Sequence, residues 1–297
     1  MSLQSNRPKT SRWDFALPRI ALLALAPGVL LSWLAFPAPA RAWGEKAEQM
    51  AAGKAVDTLP PEMRGFFEAN RDFIGRHVSE PLALLAKTPL AERRNHFVYL
   101  DHYGKFPYDA LPHDYKAAVA KYSKSKLEAS GVLPWQIGVY SQKLTAAMRD
   151  HDWEEARIAA AQLAAYVAQV HDPFHTTENF DGHLSAQLGV DSRFGESLID
   201  RYSLFFPMRP NDAMFLRDPT EHAFDEAMSA HASLENILLA DRRAREGLSD
   251  YTDEYFDLFY NLAGPILIRQ LSEAASDIGS YWLTAWVNAG RPQLPPQ

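Results

Sequence analysis

The chain has 297 residues, 47% apolar and 12% aromatic, enough for one large domain or two small ones. It has no cysteine, which excludes a disulfide framework and any thiolate metal site, so a metal must be held by His, carboxylate, amide or main-chain groups. A formal net charge of −7 opposes a nucleic-acid backbone and makes that partner class the less favoured one.

Residues 1 to 42 read as a secretory signal. Arg7, Lys9, Arg12 and Arg19 form a basic start, Ile20 to Phe36 is apolar, and Ala40-Arg41-Ala42 fits a small-x-small cleavage site. Pro27-Gly28 interrupts the apolar run, which argues against a membrane-spanning helix. The expectation is delivery to a periplasm or beyond, with Trp43 as the first residue after cleavage. This segment carries five Lys/Arg against one Asp, so the rest is more acidic than the whole.

Glu45 to Val56 is amphipathic, and Pro60-Pro61 opens a second helix near Glu62. Residues 104 to 113 form a loop rich in Gly, Pro and aromatics, and helices are predicted over 113–128 and 135–149. From Ile158 to Val170 only Gln162 and Gln169 are polar, so the helix predicted over 152–170 belongs in the middle of a bundle. Asp152 with Glu155 three residues later resembles a capping box, and Pro173 ends the helix. His171, His175, Asp181 and His183 follow within thirteen residues. His171 and His175 are four apart, a metal-site spacing on one helical face.

Residues 221 to 289 are helical by pattern, with Leu267, Leu271, Ala274, Ile278, Tyr281 and Ala285 recurring at 3 and 4. Pro265 is predicted to kink or divide this stretch. Tyr281, Trp282 and Trp286 read as core or groove filler rather than a lipid-binding face. With no internal repeat and no long linker, one all-α domain is expected over 43–289, followed by a flexible tail at 290–297.

Pro173-Phe174-His175-Thr176-Thr177 with Asn179-Phe180-Asp181-Gly182 resembles the zinc-dependent phospholipase C family, whose fold the fungal and plant single-strand-specific nucleases share. The resemblance implies a single multi-helix bundle and three zinc ions. The ions would be held by a His-x-x-x-Asp on the central helix, a Pro-x-His after it, and a second His-x-x-x-Glu or Asp. His175 matches the Pro-x-His. His96, in Arg94-Asn95-His96-Phe97-Val98-Tyr99-Leu100-Asp101, falls on another zinc ligand, and Gly131-Val132-Leu133-Pro134-Trp135 is a family-like turn. Trp43 falls on the family's mature N-terminal ligand, whose free amine titrates near pH 8 and so can bind metal at neutral pH.

The departures concern the ligands. Glu48 stands for a first-helix His, and Leu82 for a bridging Asp. Ala165 and Gln169 stand for the central His and Asp, and Asp191 and Gly195 for the second His and Glu. Glu196 comes one residue late, about 100° round a helix. By this carry-over no site reaches the three good protein ligands of a catalytic zinc.

The expected protein is therefore a secreted family homologue with a degraded trinuclear centre, acting as a binding or non-catalytic protein and holding at most one or two zinc ions. Its implied ligand is a phospholipid or another phosphodiester, with peripheral membrane contact. The alternative is a metal-dependent phosphodiester hydrolase with a rebuilt site, in which His171, His175, Asp181, His183 and Asp191 hold one ion. A third reading is a metal-free structural protein whose polar groups satisfy one another. The candidate ligands are Trp43, Glu48, His96, His171, His175, His183 and Asp191.

Overall fold

The apolar run predicted as the central helix is α8, Trp153–Val170, in the computed structural model, which describes residues 43–88 and 92–295. Asp152 caps it by accepting from the Glu155 backbone N–H at 3.1 Å. Every residue from Leu163 to Val170 is buried, and the alanines among them let neighbouring helices approach closely. A larger side chain has no room there. Ala165→His is expected to cost about 1–3 kcal/mol through overpacking, read as a lower urea midpoint; an unchanged midpoint would contradict the packing described.

Around α8 the chain lays α1 (Glu45–Ala55), α2 (Pro61–Ala69), α3 (Arg71–His77) and α4 (Glu80–Lys87). It continues through α5 (Tyr115–Tyr122), α6 (Lys124–Ser130) and α7 (Leu133–Arg149). After α8 come α9 (Leu198–Tyr202), α10 (Pro219–His231), α11 (Leu234–Arg245) and α12 (Asp253–Asn288). Helices α1, α3, α7, α10 and α12 all touch α8. Among the described residues there is no strand, and no helix is long and apolar enough to cross a membrane. The fold is an all-α bundle. The signal segment expected over 1–42 lies outside the described residues.

The structure departs from the sequence expectation in one helix, and of the two outcomes expected at Pro265 it excludes division. The helix expected over 113–128 is two helices, because Ser123 takes φ +70 and caps the second by accepting from the Lys126 backbone N–H at 3.4 Å. Pro265 does not divide the last helix, which runs 36 residues through it. Pro265 and Asn261, whose carbonyl loses its helical donor, are both exposed, so water can satisfy that carbonyl. Tyr281 and Trp282 are core residues, and the Trp282 indole donates to the Ala160 carbonyl at 3.1 Å. In the C-terminal segment the Trp286 indole donates to the Pro292 carbonyl at 2.9 Å, and Leu294 packs against the core.

A row of hydroxyls on α12 fixes the irregular segment before α10. Ser272, Ser276, Ser280 and Thr284, four residues apart, accept from the backbone N–H groups of Arg209, Asn211, Met214 and Leu216 at 2.8–3.1 Å. An extended segment with no strand partner needs such acceptors for its donors.

Candidate functional site

The last turn of α8 carries Gln169 into the protein interior, where its amide joins two other elements. Its Nε2 donates to Glu48 Oε1 on α1 at 2.7 Å, and its Oε1 accepts from His96 Nδ1 at 2.8 Å. His96 Nε2 lies 3.0 Å from Glu92 Oε1, which also accepts from the Tyr166 hydroxyl at 2.6 Å. Both ring nitrogens of His96 thus face acceptor oxygens. Burial pushes the Glu48 carboxyl up to about 8, against the pull of the Gln169 hydrogen bond. Burial also works to raise Glu92, but the bonds from His96 and Tyr166 outweigh it and hold that carboxyl below its usual range.

Backbone bonds set where His96 sits. Val132 N–H donates to the Arg94 carbonyl at 2.7 Å, and Val98 N–H to the His175 carbonyl at 2.9 Å. The turn between α6 and α7 depends on Gly131, whose φ is +86; a Cβ there would stand 2.0 Å from the Phe97 carbonyl oxygen.

Pro173 closes α8, and the chain enters a 3₁₀ turn, Pro173–Thr176, capped by Asp172, which accepts from the Phe174 N–H at 2.9 Å. His175 is buried. Burial and the neighbouring His96 lower it to about 3, so its ring is neutral. Asp172 is pushed up to about 8 by burial. Asp191 reaches about 8 through burial and then the adjacent Asp181. The buried Trp43 Nε1, Glu48 Oε2, Asp172 Oδ2, His175 Nδ1 and Asp191 Oδ2 have no hydrogen-bond partner in the protein.

On the far side of α8, the buried His171 donates from Nε2 to Asp277 Oδ2 at 2.9 Å, and its Nδ1 stands 3.7 Å from Glu226 Oε2. His222 Nε2 lies 3.0 Å from Asp277 Oδ1 and 3.9 Å from Glu226 Oε1. His171 and His222 are raised: burial works against them, but the bonds to Asp277 outweigh it. Asp277 is held at about 2; burial would raise it, and the two imidazoles overcome that.

The sequence matches no family model and no curated protein. Among solved structures, one similar chain is the alpha-toxin of Clostridium perfringens, from the avian strain SWCP. The TM-score is 0.51 at 15% sequence identity, over 82% of this chain and 64% of the toxin chain. The bundle resembles that toxin's fold. At that identity the likeness concerns the fold alone, and this chain spans about 64% of the toxin chain's length.

The structure divides the sequence candidates among separate places. Glu48 and His96 meet through Gln169, with His175 beside His96. Asp191 meets Asp181 and lies near Asp172. His171 does not join His175, because Pro173 breaks the helical register that the four-residue spacing assumes; it turns instead toward α10 and α12. His183 is exposed, its ring against Phe180 at 5.1 Å. The five residues of the rebuilt one-ion site are therefore not gathered around one point.

Glu196, one residue late in the sequence, lies against Gly44. Residues Arg193–Ser197 form a π-turn, which takes up one extra residue. A Cβ on Gly44 would meet Glu196 Cγ at 3.1 Å and Oε1 at 3.2 Å, so this carboxylate packs beside Trp43. The sequence reading also missed His222, Glu226 and Asp277. The signal for two of them was His222 and Glu226 at i, i+4 on one helical face.

Proposed function

We propose that the chain is a secreted protein with a phospholipase C-type bundle, in which hydrogen bonds replace the three-zinc centre, so that it serves as a binding or scaffold protein. The observation that carries this reading is the Gln169 amide spanning Glu48 and His96 at 2.7 and 2.8 Å. An amide in that place binds metal weakly and cannot bridge two cations as a carboxylate does. With Leu82, Ala165 and Gly195 at three further ligand places, the residues present do not fit three zinc ions.

The ligand would be a phospholipid or another phosphodiester, held without cleavage at a membrane surface. Phosphatidylcholine vesicles and single-stranded DNA incubated with the full chain are expected to release product at the background rate, with or without added zinc. Zinc-dependent release that disappears in His96→Ala would sink the reading. Secretion and cleavage before Trp43 belong to the same proposal, and the intact mass of secreted protein checks them: retention of residues 1 to 42 would contradict them.

A second reading, a phosphodiester hydrolase with a rebuilt site, has one observation in its favour: the π-turn that lays the Glu196 carboxylate on Gly44, beside Trp43. Glu196→Gln would abolish turnover under that reading and change nothing under the first.

A further inference from the structure

Helices α8, α10 and α12 meet where His171, Glu226 and Asp277 each bring a donor atom within 4.8 Å of the others. Among the described residues this is the one such group of three. We propose that this junction binds a single divalent transition-metal ion of the zinc type through His171, Glu226 and Asp277, with the half-buried His222 closing in as the fourth ligand, and that the ion pins the three helices together.

Four observations point to an ion. First, His171 is fully buried, and its Nδ1 has no hydrogen bond; it faces Glu226 at 3.7 Å, inside ion-pair range but too far to donate well. Second, both carboxylates face both imidazoles: Asp277 stands 2.9 Å from His171 Nε2 and 3.0 Å from His222 Nε2, and Glu226 stands 3.7 Å from His171 Nδ1 and 3.9 Å from His222 Nε2. Third, two carboxylates and two neutral imidazoles balance a charge of 2+, and a cation between Glu226 and Asp277 removes the repulsion of two acidic groups in a partly buried place. Fourth, His222 and Glu226 are half-buried, which leaves the junction open to an ion arriving from solvent.

The donor chemistry selects the ion class. Two imidazoles with two carboxylates suit zinc and its neighbours, whereas calcium and magnesium take oxygen ligands. Four protein ligands leave no position for a substrate or an activated water, so the ion is structural. The site shares no residue with the Glu48–Gln169–His96 network, and it stands whether or not the protein proves to be a hydrolase.

The test uses the full chain, stripped with a chelator and re-equilibrated with zinc. Elemental analysis is expected to return one zinc per chain, and zinc is expected to raise the melting temperature. His222→Gln, a change at a half-buried position, is expected to weaken zinc binding about tenfold or more and to remove the thermal shift. His96→Ala and His175→Ala are expected to keep the ion. Cobalt(II) bound to the wild-type chain gives a reading that needs no variant to fold: strong visible absorption marks a four-coordinate site, and weak octahedral-type absorption overturns the proposal. So does a wild-type chain that takes up no zinc, or an ion lost in His96→Ala and kept in His222→Gln.

Discussion

Asp241→Ala is expected to destabilise the protein by about 3–5 kcal/mol, the largest loss of any single substitution considered. Asp241 is buried on α11, and its Oδ1 accepts from Arg193 Nε at 3.0 Å, from Arg193 Nη2 at 2.9 Å and from the Tyr255 hydroxyl. Its Oδ2 accepts from Gln187 Nε2 at 2.7 Å. Removing the carboxylate leaves a buried guanidinium whose remaining bonds go to the Leu188 and Gln187 carbonyls and to the Tyr255 hydroxyl. The aromatic face of Tyr251, 4.0 Å away, offsets only part of that charge. Arg193 opens the π-turn that aims Glu196, so the loss should also disturb the chain around Gly44. Urea unfolding checks the first effect, and a change below about 1 kcal/mol would contradict this account of the network.

Stability is also expected to fall steadily as pH rises from about 5 to 9 in chelated protein. Glu48, Asp172 and Asp191 each titrate near 8 in the fold, against about 4 in an unfolded chain. The folded form therefore keeps protons that the unfolded form has already released. Their contribution is fully present below the unfolded value and is lost as pH climbs through about 8. One fully buried carboxyl shifted this far accounts for roughly 4–5 kcal/mol across the window, a sizeable part of a domain's whole stability. His171 and His222, raised by Asp277, act in the same direction, since their contribution is lost once pH passes their raised values. Glu48→Gln keeps the shape of the protonated carboxyl. It should be nearly neutral at pH 5 and stabilising at pH 9, read as melting temperature. A variant less stable than wild type at pH 9 would mean that Glu48 is held charged by a cation.

The central helix was legible because one stretch settles it: an apolar run, Asp152 with Glu155 at its start, and Pro173 beyond its end. The polar residues after it were visible, but their partners were not. His171 and His175 share a helical spacing on paper, yet the helix stops between them, and each turns toward elements far away in sequence. Glu196 reaches Gly44 through a one-residue change of register in a turn that begins at Arg193, whose side chain is tied to Asp241 48 residues later. Local sequence carries no sign of such a tie. Gln169 could be read as a substitution; that its amide would satisfy both Glu48 and His96 needed the packing of α1 against α8. The hydroxyl row on α12 was present as Ser272, Ser276, Ser280 and Thr284, but its purpose appears only with the segment lying along it.

The most direct test of the claim that hydrogen bonds have taken the place of the three-zinc centre is the zinc content of protein purified from its own secretory compartment, by elemental analysis, beside a His96→Ala variant. The account predicts no more than one zinc per chain and the same value in the variant. Three zinc ions per chain in the wild type, with a fall in His96→Ala, would contradict it.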